Sequence, residues 1–302
     1  MARSRVLGCT LAAVAAVATA CGSATAAPST AVSYPTQDVV SAIHADAALH
    51  AELPASARSL TLGTTYWPGT AGLPHAGTVN GQSIGVDVDL YNAVAKILGI
   101  TWNVQNGTFA TIIPGVQNGK YDVGTDNFGV TAAREKVVDF ATYLSDGQSF
   151  LGPADRGPRS ITTLDDLCGL TVATSPGSTF QQILTNGANK CAAAGRKPYT
   201  VQLFSDSAPI WLGLANGKID VYFGPTLSLR YDATHVANTR FLGEFSSTPV
   251  GFVTGKGSPV VKAISDAVNE LIANGDYARI LNKWGVASSG IQQSAVNPAA
   301  TL

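Results

Sequence analysis

Charge is scarce in this chain. Only 13 % of its 302 residues are Asp, Glu, Lys or Arg, and the 19 bases nearly cancel the 20 acids. No run of Lys or Arg occurs, which argues against nucleic acid as a partner. The four histidines, His44, His50, His75 and His235, are scattered without evident partners, so no Ser–His–Asp hydrolase arrangement is read. Cysteine is sparse too. Cys9 and Cys21 lie near the N-terminus, and no His or Cys stands at ligand spacing from Cys168 or Cys191, which argues against a metal. No metal and no cofactor is expected. Low charge combined with 45 % hydrophobic residues excludes a disordered chain and fits two medium domains, each with its own core.

The N-terminus carries an apolar, Ala-rich run, Val6 to Ala20, behind the basic pair Arg3 and Arg5. It is too short for a comfortable transmembrane helix and reads as a signal peptide over residues 1–20. Ala18–Thr19–Ala20–Cys21, followed by Gly22–Ser23 and a Ser/Thr/Ala/Pro tract, resembles a lipoprotein signal. On that resemblance Cys21 becomes the lipidated first residue and anchors the protein to the outer face of the cell membrane. The alternative is ordinary cleavage after Ala-x-Ala, with Cys21 incidental. Processing removes two bases and no acid, leaving 17 basic against 20 acidic residues, about −3. Cys168 and Cys191 are then an even pair in an oxidising compartment, which reads as one disulfide.

The rest of the chain is organised around Gly119–Lys120–Tyr121–Asp122–Val123 and the loop that it feeds. Gly119 makes a turn, and an apolar run broken by small residues follows, as in a short buried strand. The loop carries Asp126, Asn127, Phe128 and Gly129 and ends at Arg134. A lone guanidinium just past a strand end suits bidentate grip of a carboxylate; the alternative is a solvated surface arginine. Upstream, Ser59 to Thr65 alternates as a first strand should, with Tyr66 and Trp67 at its exit, and Asn80–Gly81 marks a hairpin. Val88, Tyr91, Val94 and Leu98 keep helical spacing, Asp87 and Asp89 favour the first turn, and Gly99 is the stop. Downstream, Thr179 and Gln182 form a capping box, and Gly177–Ser178–Thr179 presents N–H groups at a helix start. These make an anion site apt for a carboxylate, or are simply hydrated. Trp211 to Phe223 repeats in outline the helix, turn and strand of Gln117 to Val123, as two similar α/β lobes would.

Six segments carry a shared pattern. Gly85 to Leu90 with Leu98–Gly99, Phe109 to Gly119, Gly119 to Val123 with Thr131 to Phe140, Ile161 to Ala173, Trp211 to Phe223 and Asn274 to Gly285 resemble, in order, the amino-acid-binding proteins of ABC importers. These are family 3 solute-binding proteins of the type II periplasmic binding protein fold. The resemblance implies an α/β chain of two Rossmann-like lobes joined by two hinge crossovers, with the ligand cleft between them. The implied layout is a tether and helical segment over 21–57, lobe one over 58–148 plus 249–287, lobe two over 149–248, and a flexible tail over 288–302. It also implies a monomer that encloses a small molecule by lobe closure and hands it to permease subunits, without catalysis.

Carried over residue by residue, the pattern puts an α-carboxylate on Arg134, assisted by Gly177, Ser178 and Thr179. Position 129, usually Ser or Thr, holds Gly129, which offers only backbone. Pro225 stands where the family has its α-ammonium Asp, so Asp126, with Asn127 beside it, is the foremost substitute and Glu244 a distant second. Thr65 stands where the family carries an Asp for basic ligands, so ordinary arginine or lysine recognition is not expected. Tyr66, Trp67, Phe109, Phe128 and Trp211 form either an aromatic cage for a modified ammonium or plain core. The expected ligand is a polar amino acid or an amino-acid-like molecule, modified or cationic. Two alternatives stand beside this reading: an enzyme of the cyclohexadienyl-dehydratase kind, and a solute-sensing lipoprotein that works without a transporter.

Overall fold

A computed structural model of the protein describes residues 34–55 and 57–302, so the expected signal peptide, Cys21 and the first part of the segment read as a tether lie outside the described residues. Pro35–Leu302 forms one compact unit, which contains all the described helices and strands. Of the helix expected between Val39 and Leu53, only Ala47–Glu52 (α1) forms. Asp46 caps it, accepting from the amides of Ala48 and Leu49. Asp38 bends the chain before it by accepting from Val40 and Ser41.

The first half of the sheet follows the sequence pattern closely. Ser59–Thr65 (β1) leads to a hairpin, Gly77–Val79 (β2) and Gln82–Ile84 (β3), whose turn residues Asn80 and Gly81 have φ of 52° and 77°. Such left-handed pairs match the twist of flanking strands. Val86–Leu98 (α2) buries Val88, Tyr91, Val94 and Leu98, the stripe read from spacing, and Gly99 ends it in the left-handed region. Thr101–Gly107 (β4), Phe109–Gln117 (α3) and Val123–Gly129 (β5) follow, with β4 and β5 parallel to β1 on either side. Gly63 on β1 has to be glycine, because a Cβ would lie 2.6 Å from the Tyr121 ring. A short helix, Ala132–Glu135 (α4), turns the chain into the long strand Val138–Pro153 (β6).

The second half repeats the scheme: Thr171–Thr174 (β7), Thr179–Asn186 (α5), Lys190–Ala193 (α6), Thr200–Leu203 (β8), Ser207–Asn216 (α7), Val221–Pro225 (β9) and Thr226–His235 (α8). Here β8, β7 and β9 form the parallel set. The chain returns along Thr239–Gly255 (β10), which pairs antiparallel with β6 from Val138–Gly255 to Pro153–Thr239. Strand order is β4-β1-β5-β10-β6-β9-β7-β8, so one two-stranded ribbon carries a three-stranded set at each end. Each end has its own core: Ile112, Tyr121, Phe128 and Phe140 in the first, and Phe150, Leu167, Val172 and Phe223 in the second. These are the two lobes, and the ribbon's middle supplies both crossovers.

Val260–Ala273 (α9) and Asp276–Lys283 (α10) close the first lobe. Asp89 of α2 holds the end of α10, accepting from Lys283 Nζ at 2.8 Å and the Trp284 indole at 2.7 Å. The segment 288–302 is not the flexible tail read from its polar composition. Its polar side chains are anchors: the Asn297 side chain accepts from the Phe140 amide and donates to Asp139, Ser294 meets Ser265, and Thr301 meets Thr248.

Cys168 and Cys191 are bonded, with a sequence separation of 23 and Cys191 inside the second core. A loop of this length restricts the unfolded chain by about 3 kcal/mol. Replacing both cysteines by Ser should lower stability by about that amount in urea unfolding. Mass spectrometry of the unreduced protein should show the linkage, and two free thiols there would overturn it.

Candidate functional site

A cleft of about 1050 Å³, its open mouth included, separates the lobes. The C-terminal strand ends of both lobes point into it, because parallel strands bring their exit loops to one edge. From the first lobe come Thr65 and Trp67 after β1, Phe109 at the start of α3, and Asp126, Asn127 and Gly129 at the end of β5. Arg134 follows on α4, and Thr131 Oγ1 caps that helix by accepting from the Arg134 amide.

Arg134 is the cation of the cleft. Its guanidinium donates to the Gly129 carbonyl at 2.9 Å and, across the gap, to the Gly177 carbonyl at 3.0 Å. Phe109 and Phe128 flank it, ring centres 5.7 and 5.6 Å away. No acid pairs with it among the described residues. Burial brings its pKa down to about 10, so it stays charged at neutral pH. An unpaired guanidinium in such a place favours an anion. Gly129 fits this arrangement because a Cβ there would crowd Thr248 at 3.0 Å and Thr179 at 3.4 Å, where the lobes meet.

Asp126 is an acid of the same cleft. The β1–β5 register, Leu62 with Val123 and Gly63 with Gly124, sets it beside Thr65. The Thr65 hydroxyl donates to its carboxylate. Burial raises the Asp126 pKa from the ordinary 3.8 to about 6, against the lowering effect of Thr65 and Trp67. Asn127 has φ of 53°, a conformation that Asn tolerates. Its Nδ2 donates to Asp146 at 2.8 Å, while its Oδ1 has no partner.

Behind these residues lies a buried network at the ribbon's middle that the sequence did not reveal. His75 is not partnerless: it sits between Asp87, at 3.3 Å, and Asp146, at 3.1 Å. Burial alone would lower its pKa, but the two carboxylates raise it to about 10. Asp146 also accepts from the amides of Gly147 and, in lobe two, Leu227. One carboxylate thus ties His75 and Asn127 of the first lobe to the start of α8 in the second.

In lobe two, Ser178 rather than Thr179 is the N-cap of α5, its Oγ accepting from the Gln181 amide at 3.1 Å. The first amides of that helix have no intrahelical partner, and Ser178 and Thr179 line the cleft. Gly177 does not: its amide goes to the Gln181 side chain and its carbonyl to Arg134. Trp211 lines the cleft in T-shaped contact with Tyr222 at 5.7 Å. Asp232 on α8, which no sequence motif marks, lines it as well. A signal was there: Thr226, Leu229 and Asp232 fall three apart on the buried face of α8, and an acid on that stripe is out of place.

Three other expected site residues lie elsewhere. Tyr66 is 52 % exposed, because the alternation of β1 turns it away from the cleft as Trp67 turns in. Phe128 is fully buried in the first core, its ring tilted against Phe109 at 4.9 Å. Glu244 is on the surface, paired with Arg230 at 3.5 Å. The aromatic set is therefore not one cage.

The buried titrating groups set a pH dependence. Asp126 and Asp232, at about 6 and about 8, keep in the folded state a proton that the unfolded chain sheds near 3.8. Their contribution to stability is lost as pH rises from about 4 to about 8. His75, ordinarily 6.5 and here about 10, contributes below 6.5 and loses that as pH rises toward 10. Asp139 and Asp166, both lowered, act in the opposite sense only below about pH 4. The melting temperature of the empty protein should thus fall from pH 5 to pH 8; a rise would contradict the assignment.

Two lobes on a shared antiparallel ribbon, with the ligand space at their facing strand ends, define a type II periplasmic binding protein. Residues 72–287 match the family model of bacterial extracellular solute-binding proteins, family 3, and the chain belongs to that family. Among its relatives is an arginine-binding protein of Corynebacterium glutamicum, 27 % identical over 72 % of this chain and 72 % of that one. Among solved structures, an ancestral arginine-binding protein bound to arginine superimposes with a TM-score of 0.66 at 30 % identity, covering 75 % of this chain and 98 % of its own. An ancestral amino-acid-binding protein, a precursor of cyclohexadienyl dehydratase, gives 0.66 at 26 % identity, covering 75 % and 96 %. No described helix is long and apolar enough to cross a membrane.

Proposed function

We propose that this protein is the extracytoplasmic substrate-binding component of an ABC importer, taking up an amino-acid-like molecule that carries a carboxylate and a cationic group. The observation that carries this is the pair of unmatched opposite charges, Arg134 and Asp126, brought into one cleft by the end of β5 and the short helix that follows it. Arg134 receives the carboxylate, with the free amides at the start of α5 closing on it from the other lobe. Asp126 receives the cation, and ionises fully as it does so. Thr65 no longer argues against basic ligands, since the neighbouring strand supplies an acid at its side. Relatives named for arginine support the same ligand class.

Closure follows from ligand contacts made to both lobes at once, with the bend falling in the ribbon near residues 148–149 and 248–249. Register shifts between Glu244 and Ser246 and between Val250 and Gly251 break the ladder there. The protein works as a monomer, held at the outer membrane face by lipid on Cys21, and delivers its ligand to permease subunits. It is a binding protein and not an enzyme. The test is a thermal-shift screen of the processed protein against amino acids, opines, betaines and polyamines. A true ligand at 100-fold its Kd should stabilise by about 2.7 kcal/mol. Recovery of that ligand chemically unchanged after long incubation separates binding from turnover. A screen in which no carboxylate-bearing cation stabilises the protein would overturn the reading.

A further inference from the structure

The lobe-two end of the cleft is left unused by the pair Arg134 and Asp126. The helix α8 starts at the ribbon, where the Leu227 amide donates to Asp146, and runs into lobe two. Asp232 lies ~8 Å further along its axis. The residue is 3 % exposed, yet it lines the cleft. Its backbone carbonyl is engaged, accepting from the Val236 amide and the Thr239 hydroxyl. Its carboxyl has no hydrogen-bond or ion-pair partner among the described residues. Tyr222, close enough to sense its charge, and Trp211, in contact with Tyr222, line the same cleft, as does Ser228, one turn earlier on α8.

A buried carboxyl without a partner costs stability, and nothing in packing asks for an acid at this point. In a cleft that Tyr222 and Trp211 also line, it has the makings of a cation site: rings supply the quadrupole and the acid supplies the countercharge. We propose that Asp232, with Tyr222 beside it, is a second cation subsite, receiving a protonated amine or guanidinium of the ligand beyond the one held by Asp126. This rests on the carboxylate-and-cation reading of the cleft. The charges then balance, one carboxylate on Arg134 and two cations on two acids. In the empty cleft Asp232 keeps its proton, burial pushing it up to about 8. The titratable groups that sense it, Tyr222 on β9 and Tyr231 on α8, are raised and stay neutral, and no cation faces it. Arrival of the ligand's cation therefore expels a proton.

Calorimetry on the processed protein tests this with three probes. L-Arginine has a carboxylate and two cations, L-citrulline lacks the remote cation, and 5-guanidinopentanoate lacks the one beside the carboxylate. With the wild type, each deletion should weaken binding about 30-fold or more. In Asp232→Asn, one of the two deletions should become nearly free, and in Asp126→Asn the other should. Unchanged penalties in a folded Asp232→Asn protein overturn the subsite. A second measurement needs no variant: at pH 7, arginine binding in phosphate and in Tris should reveal release of about one proton. No proton release overturns the proposal equally. Failure of the underlying reading looks different. A wild type that ignores arginine but binds a carboxylate-bearing ligand with a single cation removes the subsite alone. One that binds no carboxylate-bearing cation removes the underlying reading too, and an Arg134→Ala protein that binds arginine undiminished removes only the carboxylate assignment.

Discussion

Arg134→Ala should weaken binding of a carboxylate ligand by about 2–5 kcal/mol, the cost of truncating one side of a buried charge pair. The melting temperature of the empty protein should hardly move. Among the described residues the guanidinium is bound only by two carbonyls, of Gly129 and Gly177, and neither is a countercharge. Three of its five N–H groups remain for a ligand oxygen pair. Lys should not rescue the loss, since it lacks the planar fork that can hold Gly129 and a carboxylate together. Calorimetry with the ligand found by screening measures the effect. Affinity that survives the substitution would mean that the ligand lacks a carboxylate or places it elsewhere.

Asp126→Asn should cost nearly as much as Asp126→Ala, about 2 kcal/mol or more, for any ligand with a positive charge. A residue that served only to shape the loop would tolerate Asn, which makes the same local bonds. The geometry favours charge: the Thr65 hydroxyl that donates to Asp126 comes from the adjacent strand, not from its own loop. Ligands without a cation should bind the Asn variant as well as the wild type. Full binding of a cationic ligand by the Asn variant would leave its charge to Asp232 alone.

How much of the fold and the site was legible in the sequence depended on whether a residue's neighbours were near it in the chain. The α2 stripe, the Asn80–Gly81 turn and the alternation of β1 are local, and they read correctly. The site was legible where one motif carried it, as with Asp126, Asn127 and Arg134. It was not legible where partners come from distant segments. His75 looked isolated because its carboxylates are supplied by α2 and by β6, and only the fold brings them together. Phe128 and Trp67 were indistinguishable as aromatics at strand exits, since a difference of one step in alternation decides which faces the core. The tail misled for a related reason. Asn297 and Thr301 suggest solvent by composition, yet each satisfies a polar group at the edge of β6 or β10. Asp232 stayed hidden because the family keeps its acid at the position of Pro225, on the strand before α8.

The two crossings between the lobes are one paired ribbon, with Ser145 opposite Pro249 and Gly147 opposite Ser247. Their lengths are consequently not independent. A residue added to one crossing shifts every later rung, and with period-two alternation it turns core side chains of the next lobe outward. Tolerated length changes in this region must come in matched pairs, or be absorbed as a bulge like those already present at Phe241–Gly243 and Glu244–Ser246. Two stretches about a hundred positions apart in the chain are bound to change size together.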